Sequence, residues 1–327
     1  MRRRTFITLI GATAGGWPFV AWGQPAAVPV IGVLSSQSPS AVARPLDAFI
    51  STLRELGYED GKTITIEYRW AEGHYDRLPA LAAELVQRKV AVIVALGGDP
   101  PAIAAKVSTS TIPIVFIVGS DPVKFGLVAS LNKPGGNATG VNLFLAEVEA
   151  KRIGLLHELV PTATRLALLV NPQTANAEAQ IKEIQAASGR LNLPIETLTA
   201  SNDAELDVAL KRLGELNTGA AIVEADPFFV FRRNKIISGV GEEAIPTIYP
   251  LREFAVSGGL ISYGTNLIDA YRQVGNYVGR ILKGERAADL PIVQLEKFET
   301  VINQKTAKAL GLTVPPTLLA IADEVIE

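Results

Sequence analysis

The chain has 327 residues, 48% of them hydrophobic and 20% charged, a globular composition long enough for two domains with separate cores. Its formal charge of -2 lacks the basic excess with which a nucleic-acid binder neutralises phosphates. There is no cysteine, which excludes disulfides, thiolate metal sites, cysteine nucleophiles and a lipid-modified cysteine, and the only histidines, His74 and His157, lie far apart, which argues against an imidazole metal centre or triad.

The first segment reads as an export address. Arg2-Arg3-Arg4 precede Thr5-Phe6-Ile7 and an apolar, glycine-containing run to about Val20, followed by Ala21-Trp22-Gly23 before Gln24. A basic start, a short apolar stretch and small residues predict a signal peptide over residues 1–23. The run falls short of the roughly 20 residues a membrane span needs, and an uncleaved anchor is the alternative. Arginines followed by phenylalanine also resemble a twin-arginine export signal. Residues 1–23 hold three arginines and no acidic residue, so the remainder carries a formal charge of -5. The expectation is an acidic soluble body in the periplasm.

From Val28 onward short β-branched runs alternate with helical patterns. Strands are predicted at 30–34 and 63–68, with helices at 45–56 and 78–87 between and after them. Continuous apolar runs at 90–96 and 114–118 suit strands buried on both faces of a parallel sheet. The segment Pro134-Gly135-Gly136-Asn137-Ala138-Thr139-Gly140 then punctuates the midpoint. The pattern restarts with a strand at 165–170, a long helix at 175–191, and strands at 195–198, 220–223 and 247–249. A strong helix spans 270–282 and stops at Lys283-Gly284, where glycine can take the left-handed cap, and a last strand covers 298–302. Two α/β lobes, each a doubly wound parallel sheet, follow from this repetition.

Several blocks resemble the ABC-transporter substrate-binding proteins of the tryptophan/tyrosine-importer type. They are Ile112-Pro113-Ile114-Val115-Phe116, Gly119-Ser120-Asp121-Pro122-Val123, Gly126-Leu127-Val128 and the segment from Pro134 to Gly140. Glu253-Phe254, Gly258-Gly259-Leu260, Ser262-Tyr263-Gly264, Ile281-Leu282-Lys283-Gly284-Glu285, Ile302-Asn303 and Lys305-Thr306-Ala307 extend the likeness over nearly the whole body. The resemblance implies a type I periplasmic-binding-protein fold, with two lobes joined by a hinge of three crossings and a ligand held between them without catalysis. It places the helix at 270–282 back on the first lobe. The expected domains are 28–143 plus 268–293 and 144–267 plus 294–327. The expected partners of a monomer are a small molecule (an amino acid or an aromatic or carboxylate-bearing metabolite) and an ABC permease in the inner membrane. No cofactor, metal or nucleic acid is expected.

Ligands of open α/β sheets bind outside the carboxyl ends of the strands. Four Asx-Pro pairs fall there: Asp99-Pro100, Asp121-Pro122, Asn171-Pro172 and Asp226-Pro227. Each also fits a helix N-cap with proline at the first helical position. As ligand contacts, the aspartates would hold an ammonium group and the helix N-termini a carboxylate. The other candidates are Ser36 and Gln37 in the loop after the first strand, Gly98 for close backbone approach, Ser120 beside Asp121, Asn176 in the second lobe, and Tyr263, placed just after a strand. Phe228 is the member of Phe228-Phe229-Val230-Phe231 nearest a strand end.

An enzyme is the first rival, but no strand is followed by G-x-G-x-x-G, and neither a phosphate-binding G-x-x-x-x-G-K-[ST] nor a G-x-S-x-G elbow occurs. A regulator on the same fold needs a DNA-binding head where this chain has its signal pattern. A periplasmic sensor that reports to a membrane receptor is the reading nearest to import.

Overall fold

The computed structural model describes residues 28–143, 148–174, 177–295 and 297–327, so the expected signal segment and Asn176 lie outside the described residues. The chain begins with β1 (Val30–Ser35), α1 (Ala43–Glu55), β2 (Thr65–Trp70), α2 (Leu78–Gln87), β3 (Val92–Leu96), α3 (Asp99–Ser108), β4 (Ile114–Val118) and β5 (Ala138–Asn142). It continues with α4 (Glu149–Leu159), β6 (Leu166–Val170), α5 (Ala177–Arg190), β7 (Ile195–Thr199), α6 (Asp203–Glu215), β8 (Ala220–Val223), α7 (Pro227–Phe231), α8 (Arg233–Glu242), β9 (Thr247–Tyr249), α9 (Arg252–Val256) and β10 (Ile261–Thr265). The last elements are α10 (Leu267–Leu282), β11 (Val293–Gln294), β12 (Phe298–Asn303), α11 (Gln304–Ala309), α12 (Pro316–Ile321) and β13 (Glu324–Ile326).

These strands form two sheets, ordered β11-β5-β4-β3-β1-β2 and β13-β12-β10-β9-β8-β6-β7. The first five strands of each half are wound identically, as 2-1-3-4-5, so the alternation read from the sequence is a repeated topology. Pairing is parallel except between β10 and β12. The apolar runs that form β3, β4 and β6 are buried along their whole length, as strands covered by helices on both faces must be.

Two boundaries shift for local reasons. The strand expected from residue 63 starts at Thr65, because Thr63 Oγ1 donates to the Gly57 carbonyl and accepts from the Glu59 N–H, closing a turn. The helix expected from residue 270 starts at Leu267, because Asn266 Oδ1 accepts from the N–H groups of Ile268 and Asp269 at 2.9 and 3.3 Å. At its other end Gly284 takes a φ of +99°, the left-handed cap expected there.

The chain passes between the sheets three times, from β5 to α4, from β10 to α10 and from β11 to β12. The first two crossings are tied together, since Thr265 Oγ1 donates to the Leu143 carbonyl at 2.8 Å in a buried setting. Helix α10 returns to the first sheet and packs on α1, β3, β4 and β5. Glycine permits that close packing. A Cβ at Gly275 would stand 2.9 Å from Thr52 Cβ, and one at Gly279 would stand 2.5 Å from Leu56 Cδ1. Among the described residues no helix is long and apolar enough to cross a membrane.

Candidate functional site

In a 2-1-3-4-5 sheet the winding reverses between the first and third strands, and the loops leaving those two strands open a crevice at their carboxyl ends. The first sheet reverses between β1 and β3, whose loops carry Gln37 and Gly97-Gly98-Asp99. The second reverses between β6 and β8, whose loops carry Thr174 and Ala225-Asp226-Pro227. All of these residues line one cavity between the sheets, which encloses about 680 Å³ with its mouth included.

Asp99 and Asp226 face this cavity from opposite sheets. Asp99 is not the helix cap its sequence suggests. It is the first residue of α3, with Gly98 as the cap, and its carboxylate spans to the next loop. There Oδ1 accepts from the Gly119 and Ser120 N–H groups at 3.1 and 3.3 Å, and Oδ2 accepts from Ser120 Oγ at 2.5 Å. Ser120 is thereby in the wall of the cavity as the partner that orients Asp99. Burial pushes the Asp99 carboxyl above its ordinary range, against the opposing pull of the Ser120 hydroxyl and the two N–H groups.

Asp226 is a cap, as expected. It accepts from the Phe228 N–H at 2.9 Å and opens α7, with Pro227 at the first position. Its Oδ1 also accepts from Asn171 Nδ2 at 3.1 Å, and Thr174 Oγ1 reaches Oδ2 at 3.4 Å. Burial again raises its carboxyl, opposed by the bonds from Asn171, Tyr75 and the α7 backbone. Asn171 therefore acts behind the cavity wall: it is fully buried, and its own Oδ1 accepts from the Gln173 N–H.

The rest of the lining is amide, hydroxyl and hydrocarbon. Gln37 is 5% exposed, and its Oε1 has no protein partner. Gln180 is buried in the opposite wall. Ile117, Leu143, Val230, Leu251, Leu267 and Tyr271 supply the apolar surface. Among the described residues the lining contains no lysine, arginine or histidine. Among the described residues no three His, Asp or Glu side chains gather as a metal site would require.

Four sequence candidates stand elsewhere or differently. Ser36 lies behind the wall, where its Oγ donates to the Gly97 carbonyl at 2.6 Å. Asp121 is turned away from the cavity, since its Oδ1 accepts from Val123 and Lys124 N–H and closes its own turn. Tyr263 is inside β10 and not beyond a strand end. Its ring lies 5.8 Å from that of Phe298 on the antiparallel neighbour β12, away from the cavity. Phe228 is buried in the core, and Pro227 and Val230 are the α7 residues that line the cavity.

Thr174, Gln180 and Tyr271 were not among the sequence candidates. The position of Thr174, two residues past the Asn171-Pro172 pair, was a usable signal. That of Tyr271, deep in a helix on the returning segment, was not.

A second buried charge cluster sits beside the crossings. Arg152 on α4 is fully buried, 2.7 Å from Glu149 and 3.9 Å from Glu224, and its Nε donates to the Tyr263 carbonyl at 2.9 Å. Burial and the neighbouring Glu149 carboxylate hold the Glu224 carboxyl well above the ordinary range.

Residues 29–326 match the family described as ABC transporter substrate binding protein. A tyrosine-binding protein of Clostridioides difficile is 27% identical over 289 residues, 86% of this chain and 81% of that protein. The structure of an ABC domain in complex with L-Trp from Streptococcus pneumoniae superposes with a TM-score of 0.83 at 25% identity, covering 91% of this chain and 99% of that one. A conserved domain protein from Vibrio cholerae also superposes at 0.83, with 24% identity and the same coverage, a likeness of fold. With the family match spanning both sheets and the cavity between them, the chain belongs to the ABC transporter substrate-binding proteins.

Proposed function

We propose that this protein is the periplasmic binding component of an ABC importer and captures an amino acid with an aromatic or apolar side chain. The lobes would be 28–143 with 268–293 and 144–267 with 294–327, closing about the three crossings onto the ligand before docking on the permease. One observation carries the ligand class: two buried carboxylates, Asp99 and Asp226, line a cavity to which the described residues contribute no basic side chain. Buried charge of one sign calls for a counter-charge, and an ammonium group supplies it. The apolar wall suits the body of the ligand, and the unpartnered Gln37 Oε1 offers a further acceptor for its ammonium group.

The test is a binding series by calorimetry. L-tryptophan and L-tyrosine should bind, tryptamine and tyramine should bind more weakly, and indole-3-propionate, which lacks the ammonium, should not bind measurably. Each binder should raise the melting temperature as its concentration rises. Tight binding of the amine-free acid would overturn the ligand class.

Closure makes its own demand on Gly98. This residue has a φ of +93°, and a Cβ there would stand 2.9 Å from Pro227 Cγ on the opposite wall. Gly98→Ala should raise Kd roughly tenfold through backbone strain and a propped cleft, while the far-ultraviolet circular dichroism stays unchanged. Unchanged affinity would show that the two walls need not meet.

A further inference from the structure

Tyr75 lies outside the cavity lining, yet its hydroxyl makes every one of its hydrogen bonds across the cleft. The residue opens a short 3-10 turn between β2 and α2. Its hydroxyl stands 3.1 Å from both oxygens of Asp226 and accepts from the Phe228 N–H at 3.0 Å. The phenol of one half therefore grips the ligand-facing acid of the other.

The loop that carries Tyr75 is fastened to the first half's own cavity loops. Ala71 N–H donates to the Ser35 carbonyl at 2.8 Å and Gly73 N–H to the Ser36 carbonyl at 2.7 Å. Ser36 in turn holds Gly97 through its hydroxyl. Gly73 has no side chain where a Cβ would stand 3.2 Å from the Phe231 ring of α7, so the loop can lie flat on the second half. Tyr75, Ser36 and the Gly97–Asp99 loop are thus joined in one hydrogen-bonded unit.

We propose that Tyr75 is a positioning residue that couples ligand capture at Asp226 to closure of the cleft. An ionised carboxylate is a stronger acceptor for a phenol than a protonated one. An ammonium ligand keeps Asp226 ionised, so the occupied site grips Tyr75 harder than the empty one. Burial and the facing Asp226 keep the Tyr75 phenol protonated and able to donate. The inference rests on the proposed hinge closure, and its test separates the two.

The cysteine-free chain accepts a clean pair of labels. Ser51→Cys on α1 and Lys211→Cys on α6, both exposed, place one spin label on each half. Tyr75→Phe should lengthen the distance between the labels in the ligand-free protein, with the melting temperature held within about 2 °C. With L-tryptophan as probe, the same variant should raise koff roughly tenfold and leave kon within about twofold, as loss of a bond to a charged acceptor predicts. Unchanged distances together with an unchanged koff would overturn the proposal. A lower melting temperature with unchanged distances would also overturn it, because Tyr75 would then be only structural. If no amino acid binds but the distances still shift, the grip of Tyr75 on Asp226 across the cleft stands, and the amino-acid assignment and its coupling to closure fail.

Discussion

Asp226→Asn should weaken binding of an ammonium-bearing ligand about a hundredfold while leaving the fold intact. Asparagine keeps an oxygen for the Phe228 N–H and so preserves the cap of α7, while the charge and the second acceptor oxygen, which faces the Tyr75 and Thr174 hydroxyls, are lost. A hydrogen bond to a charged group contributes roughly 1.5–3 kcal/mol, and a hundredfold change in Kd corresponds to about 2.7 kcal/mol. The pH dependence follows from the raised carboxyls of Asp226 and Asp99. As pH falls they take up protons above the usual carboxylate range, so affinity should decline on acidification earlier than an exposed aspartate would allow. For the ligand-free protein the sign is opposite. A carboxyl raised in the folded state contributes its stability below the unfolded pKa and loses it as pH rises through the folded value. Ligand-free Asp226→Asn should therefore melt at or above the wild-type temperature at pH 7. Calorimetric titration and thermal melts at several pH values check both. An unchanged Kd would remove Asp226 from the site.

The sequence made the architecture legible because its signals are local and repeated. Apolar runs such as Val92–Leu96 and Leu166–Val170 announce buried strands, and the Asx-Pro pairs mark where each strand hands over to a turn. The ends of those strands then located Gln37, Gly98, Asp99 and Asp226 in the cavity. Direction was not legible. Asp99 and Asp121 carry the same Asx-Pro signature, yet one carboxylate spans to a neighbouring loop and the other closes its own turn. Which occurs depends on donors at Gly119 and Ser120, twenty residues away from Asp99, and no local pattern encodes that distance. Tyr75 escaped for the same reason, since its partners lie 151 and 153 positions further along the chain.

Stability should depend most on a residue the ligand never meets. Arg152→Met removes the guanidinium that lies against both Glu149 and Glu224, and neither carboxylate can reach water. Deleting one partner of a buried ion pair costs about 3–5 kcal/mol, because the remaining charge is left uncompensated. At roughly 2–4 °C per kcal/mol for a large domain, the melting temperature should fall by about 6–20 °C at pH 8. The deficit should shrink toward pH 5. Glu224 already has a raised carboxyl, so its penalty is absent below the unfolded pKa and grows as pH rises through the folded one. Without Arg152 that window widens, and protonation becomes the only way to discharge the pair. Glu224→Gln supplies the control: alone it should leave stability at pH 8 unchanged or improved, and combined with Arg152→Met it should restore part of the loss. A deficit independent of pH would show that Arg152 contributes through packing and its bond to the Tyr263 carbonyl alone. That bond joins α4, just past the first crossing, to β10, just before the second, so the charge cluster and two of the crossings rest on the same side chain.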